Sequence, residues 1–356
     1  IDVNNFACNG AGYLHADGGD SQNVVAAKGG GGRITYRADS YTACAGMTAA
    51  GANTGTIVNV PNTPISLTML ERDSSSFEWT FIDRSFSETG FEIYDSEGNL
   101  VRTEPSTTSV AQGVTYTITE DGLTPNTALN RYVGAVNSDA KSDNSTELTT
   151  NTLAETPDTP VLNYLSNSSF KLAVEPKNNP ANTTFALFEP ASGRYVQSNG
   201  SLSSQPYWAT RTSWGGSTGV TISGLLTNTE YEFQVKARSM DSIETNLSSA
   251  VKKYTLALAP SLLEVTEPTL NTLVLKFSDS GNPAYTEFLI FEETTGMYLN
   301  ASNSLASDPI WRTYQDWAAE EGISIQNLLE ETGYNFVVKA RNGDGVETTD
   351  AEIPGD

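Results

Sequence analysis

A Gly-x-Ser-x-Gly string, Gly215-Gly216-Ser217-Thr218-Gly219, is the first stretch whose residue types could do chemistry. As a nucleophile elbow it needs a strand–turn–helix frame, a general base and an acid. The chain has one histidine, His15, about 200 residues upstream, and no helix signal follows the string, so it reads as a loop. A single histidine also removes most zinc and imidazole-based acid–base chemistry. Gly29, Gly30, Gly31 and Gly32 lack the Lys-Ser/Thr pair of a phosphate cradle. Asn342-Gly343-Asp344-Gly345 offers one carboxylate where a calcium loop needs several, and reads as a tight turn. The sequence reading is therefore a non-enzyme with no metal site and no cofactor.

Binding chemistry is better represented. Tyr195, Trp208 and Trp214 recur as Tyr298, Trp311 and Trp317. Aromatic side chains on a β-surface can stack on sugar rings. They can equally cover a long mid-domain insertion as core, and both readings stay open. Asn-x-Ser/Thr sequons at Asn144, Asn167, Asn182, Asn199, Asn246 and Asn300 mark exposed loops open to glycosylation. The two cysteines, Cys8 and Cys44, have no metal-ligand spacing. They read as one disulfide of an oxidising compartment, with two free thiols as the alternative.

The elements that must position these residues follow from an internal repeat. Residues 185–245 return as 288–348 without a gap, and 26 of the 61 positions are identical. A fixed long period means tandem copies of one folded unit. An earlier, more divergent copy begins after Pro61 and Pro64. There Phe77, Trp79 and Phe81 alternate with polar residues, as in a half-buried strand. Boundaries fall at the Pro-containing run 156–160 and at Pro260. The expected domains are 1–60, 61–156, 157–258 and 259–356. Trp317-Ala318-Ala319-Glu320-Glu321 is expected to form one helical turn.

Charge narrows the partners. The chain carries 43 acidic and 20 basic residues, net −23. Such a surface repels nucleic acid and anionic lipid, and no run is apolar enough to span a membrane. The chain begins at Ile1 without a signal peptide, which reads as a processed part of a secreted precursor.

The run Gly224-Leu225-Leu226-Thr227-Asn228-Thr229-Glu230-Tyr231-Glu232-Phe233-Gln234-Val235-Lys236-Ala237 resembles the fibronectin type III family. The resemblance covers about 290 of the 356 residues. It implies an all-β chain of three tandem fibronectin type III-like (immunoglobulin-like) sandwiches. In that family the leucine plugs the sandwich base and the tyrosine hydroxyl bonds backbone upstream. Tyr231 and Tyr334 match; the first copy has Leu129 at this place. Trp79 matches the family's core tryptophan, with Leu172 and Leu275 in the other copies. The first 60 residues, rich in glycine with interleaved Ile, Val and Tyr, resemble the β-helix-like repeats of bacterial or archaeal cell-surface proteins. A flexible linker is the alternative.

These resemblances imply an extracellular structural protein, a subunit of a cell-surface assembly or filament. Its partners would be other copies of itself, other cell-surface proteins, or glycans. The second copy ends on Val251-Lys252-Lys253-Tyr254, where the third has Pro354-Gly355-Asp356, so the last sandwich is expected to lack most of its final strand. A donor strand bearing Ile1, Val3 and Phe6 from another copy could fill that edge head to tail. The alternatives are an adhesin or carbohydrate-binding module using the Tyr/Trp block, and a non-catalytic part of a secreted hydrolase.

Overall fold

The computed structural model describes residues 34–36, 57–107, 113–349 and 351–352. Cys8, Cys44, Ile1, Val3 and Phe6 lie outside the described residues, as do 353–356. All regular structure among the described residues is β. In the glycine-rich segment β1 (Ile34–Tyr36) and β2 (Ile57–Asn59) pair in parallel, with Ile34 opposite Ile57.

The first sandwich runs β3 (Ile65–Arg72), β4 (Phe77–Ile82), β5 (Gly90–Tyr94), β6 (Leu100–Pro105), β7 (Thr115–Glu120), β8 (Ala128–Val136) and β9 (Leu148–Asn151). One sheet has the order β3-β4-β7 and the other β6-β5-β8-β9. Period-two alternation buries Phe77, Trp79 and Phe81 of β4 completely against Phe91, Ile93, Tyr116 and Val133. The Trp79 indole N–H donates to Glu120 Oε1 at 3.0 Å, and Arg131 Nε grips both Glu120 oxygens at 2.9 and 3.0 Å. This buried network gives the indole its acceptor and the carboxylate its counter-charge.

The second sandwich contains β10 (Val161–Ser166), β11 (Ser169–Ala173), β12 (Thr184–Glu189), β13 (Arg194–Val196), β14 (Leu202–Ser203), β15 (Ala209–Thr210), β16 (Val220–Ser223), β17 (Glu230–Arg238) and β18 (Val251–Tyr254). The third repeats it with β19 (Ser261–Thr266), β20 (Leu273–Ser278), β21 (Glu287–Glu292), β22 (Met297–Leu299), β23 (Leu305–Ala306), β24 (Arg312–Thr313), β25 (Ile323–Ile325), β26 (Phe336–Arg341) and β27 (Ala351–Glu352). Their sheets are β10-β11-β16 and β14-β13-β12-β17-β18, then β19-β20-β25 and β23-β22-β21-β26-β27.

Two compact units result: Ile1–Ala154 with Ser239–Ile243, and Glu155–Arg238 with Glu244–Asp356. The expected helical turn at 317–321 is instead a run of turns. Ala318 sits at φ 51° and Gly322 at φ 109°, left-handed backbone that a helix excludes.

Residues after β8 and β17 follow their neighbour at a spacing of three rather than two. Ser142 and Ser145 accept the Ala135 and Val133 amides on their hydroxyls and return their own N–H groups to the same residues' carbonyls. Thr245 and Ser248 do the same for Ala237 and Val235, and Thr348 for Ala340. Ala351 stands one period after Ser248, so this hydroxyl contact ends there in the third copy.

Candidate functional site

The Tyr/Trp block divides into core and surface. Trp214 and Trp317 are each 1 % exposed, and their indole N–H groups donate to Phe185 and Phe288 carbonyls at 2.9 Å. A ring enclosed and bonded in this way cannot stack on a sugar, so these two leave the glycan-contact set. The turn that follows each ring is left-handed in both copies, at Gly215, Gly216 and Gly219 after Trp214 and at Ala318 and Gly322 after Trp317, and a Cβ on Gly219 would meet Leu172 O at 2.4 Å. The Gly-x-Ser-x-Gly string is thus a wrapping loop. Trp208 and Trp311 are half-buried, with the Arg238 and Arg341 guanidinium groups each 4.6 Å from the ring centroid. Tyr195 packs on Phe188 at 4.9 Å and Tyr298 on Phe291 at 5.0 Å. Of the sequons, Asn144, Asn182, Asn199 and Asn246 are exposed; Asn167 and Asn300 are half-buried.

A cluster of polar side chains lies within the second unit, where the second and third sandwiches meet, with Asn228 at its centre. This side chain is 1 % exposed, on left-handed backbone (φ 42°) that asparagine tolerates better than most residues. Its Oδ1 accepts the Gly343 N–H at 2.8 Å, its Nδ2 donates to Thr286 Oγ1 at 2.8 Å, and its carbonyl accepts the Tyr285 hydroxyl at 2.5 Å. Asn342 returns two bonds to the Tyr254 and Thr255 carbonyls at 3.3 and 3.2 Å. Asp344 Oδ2 accepts both the Tyr254 N–H and the Tyr164 hydroxyl at 2.8 Å. Burial and the bond to Asp344 push the Tyr164 hydroxyl up to about 12. A side chain on Gly343 would meet the Tyr254 ring at 2.6 Å, so only glycine fits beneath it. The cavity left between these residues is about 160 Å³, below the usual size of a small-molecule pocket. The junction fastens two sandwiches rather than holding a ligand.

The same asparagine recurs in the first unit. Asn126 is also buried and left-handed (φ 46°), and its Oδ1 accepts the Met240 N–H at 2.7 Å. Met240 stands one 103-residue period before Gly343. In that unit Arg72 and Asn151 bind Asp241. In the third copy Glu331 takes this place in the loop, again left-handed at φ 53°.

The far edge of the third sandwich differs from that of the second. β17 is paired at Glu230, Tyr231, Glu232 and Phe233 by β18. β26 starts three residues later than its repeat-equivalent, and β27 pairs it only at Val337 and Val338. Among the described residues, 333–336 have no ladder partner on that edge. A groove of about 320 Å³ beside it is lined by Leu270, Leu273, Leu328, Leu329 and Tyr334 together with Thr269, Thr272, Glu330, Glu331 and Thr332, and Leu270 and Leu329 are 72 % and 71 % exposed.

Two tyrosines carry the corner expected from the sequence: the Leu226 N–H donates to Tyr231 Oη at 2.9 Å and the Leu329 N–H to Tyr334 Oη at 2.7 Å. With a three-stranded sheet and a larger one in each sandwich, this defines an all-β chain of tandem fibronectin type III-like sandwiches. Solved structures similar to the chain include the chicken CNTN1 FN1–FN3 domains, at 14 % identity over 82 % of this chain and 97 % of that one, TM-score 0.27. Another is a two-domain fibronectin type III segment of chicken tenascin, at 11 % identity over 54 % and 97 %, TM-score 0.35. No family model matches the chain, and no curated protein matches its sequence. No helix among the described residues is long and apolar enough to cross a membrane.

Proposed function

We propose that this chain is an extracellular structural protein, a cell-surface or filament subunit in which fastened sandwiches serve as spacers and the last one receives a strand. The observation that carries this reading is the edge of β26. Residues 333–336 have no described partner where the second copy has β18, and Gly333 and Tyr334 line a groove of mixed leucine, threonine and glutamate character. A sheet edge left without a partner is adhesive and can be filled by strand addition. The junction around Asn228 supports the spacer role, because seven hydrogen bonds made by Asn228, Asn342 and Asp344 hold consecutive sandwiches together. A donor strand from residues 1–6 of the next copy, with Ile1 and Val3 on one face and Phe6 on the other, would extend the assembly head to tail.

The test is electron microscopy and sedimentation of the intact chain beside a variant lacking residues 1–6. Concentration-dependent filaments from the first and monomers from the second are expected. Monomers from both would sink the assembly reading.

The adhesin reading retains one supporting observation, the half-buried Trp208 and Trp311 on the sheet surface. Glycan binding lost on Trp208→Ala and Trp311→Ala would favour it instead.

A further inference from the structure

The first sandwich buries two carboxylates that its neighbours lack. Asp83 follows β4 and Glu88 precedes β5, at the two ends of one loop, and both side chains are 0 % exposed. One oxygen of each is satisfied: Asp83 Oδ1 accepts the Ser85 N–H at 2.8 Å, and Glu88 Oε1 accepts the Ser106 hydroxyl at 2.6 Å. The other two, Asp83 Oδ2 and Glu88 Oε2, are buried without a hydrogen-bond partner among the described residues. Their burial carries a desolvation penalty that the bonds to Asp83 Oδ1 and Glu88 Oε1 offset only in part.

The corresponding loops of the other copies show what this loop does not need the acids for. There Asn179 and Asn282, both buried, bind the N–H and C=O of the incoming connector at Glu155 and Leu258. In the first sandwich Asn62 of the connector makes that link by donating to the Arg84 carbonyl, between the two acids. The connector is therefore fastened without Asp83 or Glu88.

We propose that Asp83 and Glu88 bind a divalent cation, calcium, in the loop between β4 and β5. Two carboxylates match its charge, all the donors are hard oxygens, and Ser106 Oγ, backbone carbonyls and water can complete a flexible shell. The described residues hold no cluster of three or more acidic, His or Cys side chains. Two carboxylates place the affinity in the range of extracellular modules, on the order of 10⁻⁴–10⁻³ M. Bound calcium would stiffen the loop against which the connector from the glycine-rich segment lies.

The test uses the full chain in 150 mM salt. Its thermal midpoints are followed as CaCl₂ is raised from EDTA to about 5 mM, for wild type, Glu88→Gln and Asp83→Asn/Glu88→Gln. The expected result is one transition rising by about 5 °C or more with a saturating calcium dependence. In the single variant that dependence moves at least tenfold to higher calcium; in the double variant it is lost. The amides remove buried charge, so the variants fold in EDTA, which hydrogen exchange of the β4 and β8 amides checks. An equal response in all three proteins would mean diffuse binding to the acidic surface and overturns the proposal. So would no response in any of them.

Discussion

Replacing Asn228 tests how the sandwiches are fastened, because its bonds cross to residues 58 and 115 positions away. Asn228→Ala removes the bonds to Thr286 and Gly343. Each is worth about 0.5–1.5 kcal/mol net, so the pair contributes roughly 1–3 kcal/mol. Alanine must also hold φ near 42°, which adds about 1 kcal/mol over asparagine. The expected cost is about 2–4 kcal/mol in total. Asn228→Gly loses the same two bonds without the backbone strain, so it should cost about 1 kcal/mol less than alanine. The readouts are denaturant unfolding of the full chain and hydrogen exchange across 342–346, which the substitution touches only through the junction. At 1.4 kcal/mol per tenfold, exchange of the Gly343 amide should accelerate roughly ten- to a hundredfold in both variants. Unchanged protection at 342–346 would refute the junction. Equal stability of the two variants would refute the strain argument while leaving the bonds in place.

Other outcomes follow from the same geometry. Trp214→Phe should cost about 2–4 kcal/mol through the lost indole bond and the space left in the core. Trp208→Ala should stay near 1 kcal/mol, and chemical denaturation of the two variants separates these. The pH dependence has two opposing windows. Burial, opposed by the Ser85 amide and reinforced by Glu88, pushes Asp83 up to about 6. A carboxyl raised in the folded state contributes stability that is full below about pH 4 and lost as pH rises through 6. In EDTA, acidifying from pH 7 to 4 should therefore recover roughly 3 kcal/mol in the first sandwich, and Asp83→Asn should abolish the change. Burial raises Asp241, but bonds from Ser239, Arg72 and Asn151 together outweigh it and hold the carboxyl at about 2. Its contribution is present above pH 4 and lost as pH falls through 2, so Asp241→Asn should flatten that lower limb of a pH-stability curve.

The fold was legible where a short-range pattern carries it. Alternating Phe77, Trp79 and Phe81 marked a strand, and the run around Tyr231 marked a turn whose hydroxyl does bond backbone upstream. Spacing alone could not separate Trp208 from Trp214, because recurrence marks core and surface equally. The difference lies in the left-handed turn that follows only the second, at Gly215, Gly216 and Gly219 here and at Ala318 and Gly322 in the third copy. Asn228 was visible merely as a turn residue, since its partners come from another copy of the repeat. The Ser142/Ser145 and Thr245/Ser248 contacts went unseen because their spacing of three fits neither strand nor helix periodicity. Asp83 and Glu88 look like ordinary loop acids until their burial is known. One signal bears on the junction: Gly343 stands where the preceding copy has Met240, and a side chain there would meet the Tyr254 ring.

Hydrogen exchange at the β26 edge tests the account most directly. Val338 pairs with Ala351, and the Ala340 amide is taken by Thr348 on that same side. By strand alternation the Tyr334 and Phe336 amides face this edge too. In dilute intact protein they should exchange quickly, and at concentrations that give filaments they should slow at least tenfold, with no slowing in the variant lacking residues 1–6. Amides at 334 and 336 that exchange at one rate in monomer and filament would show that no strand is added there, and would contradict the account.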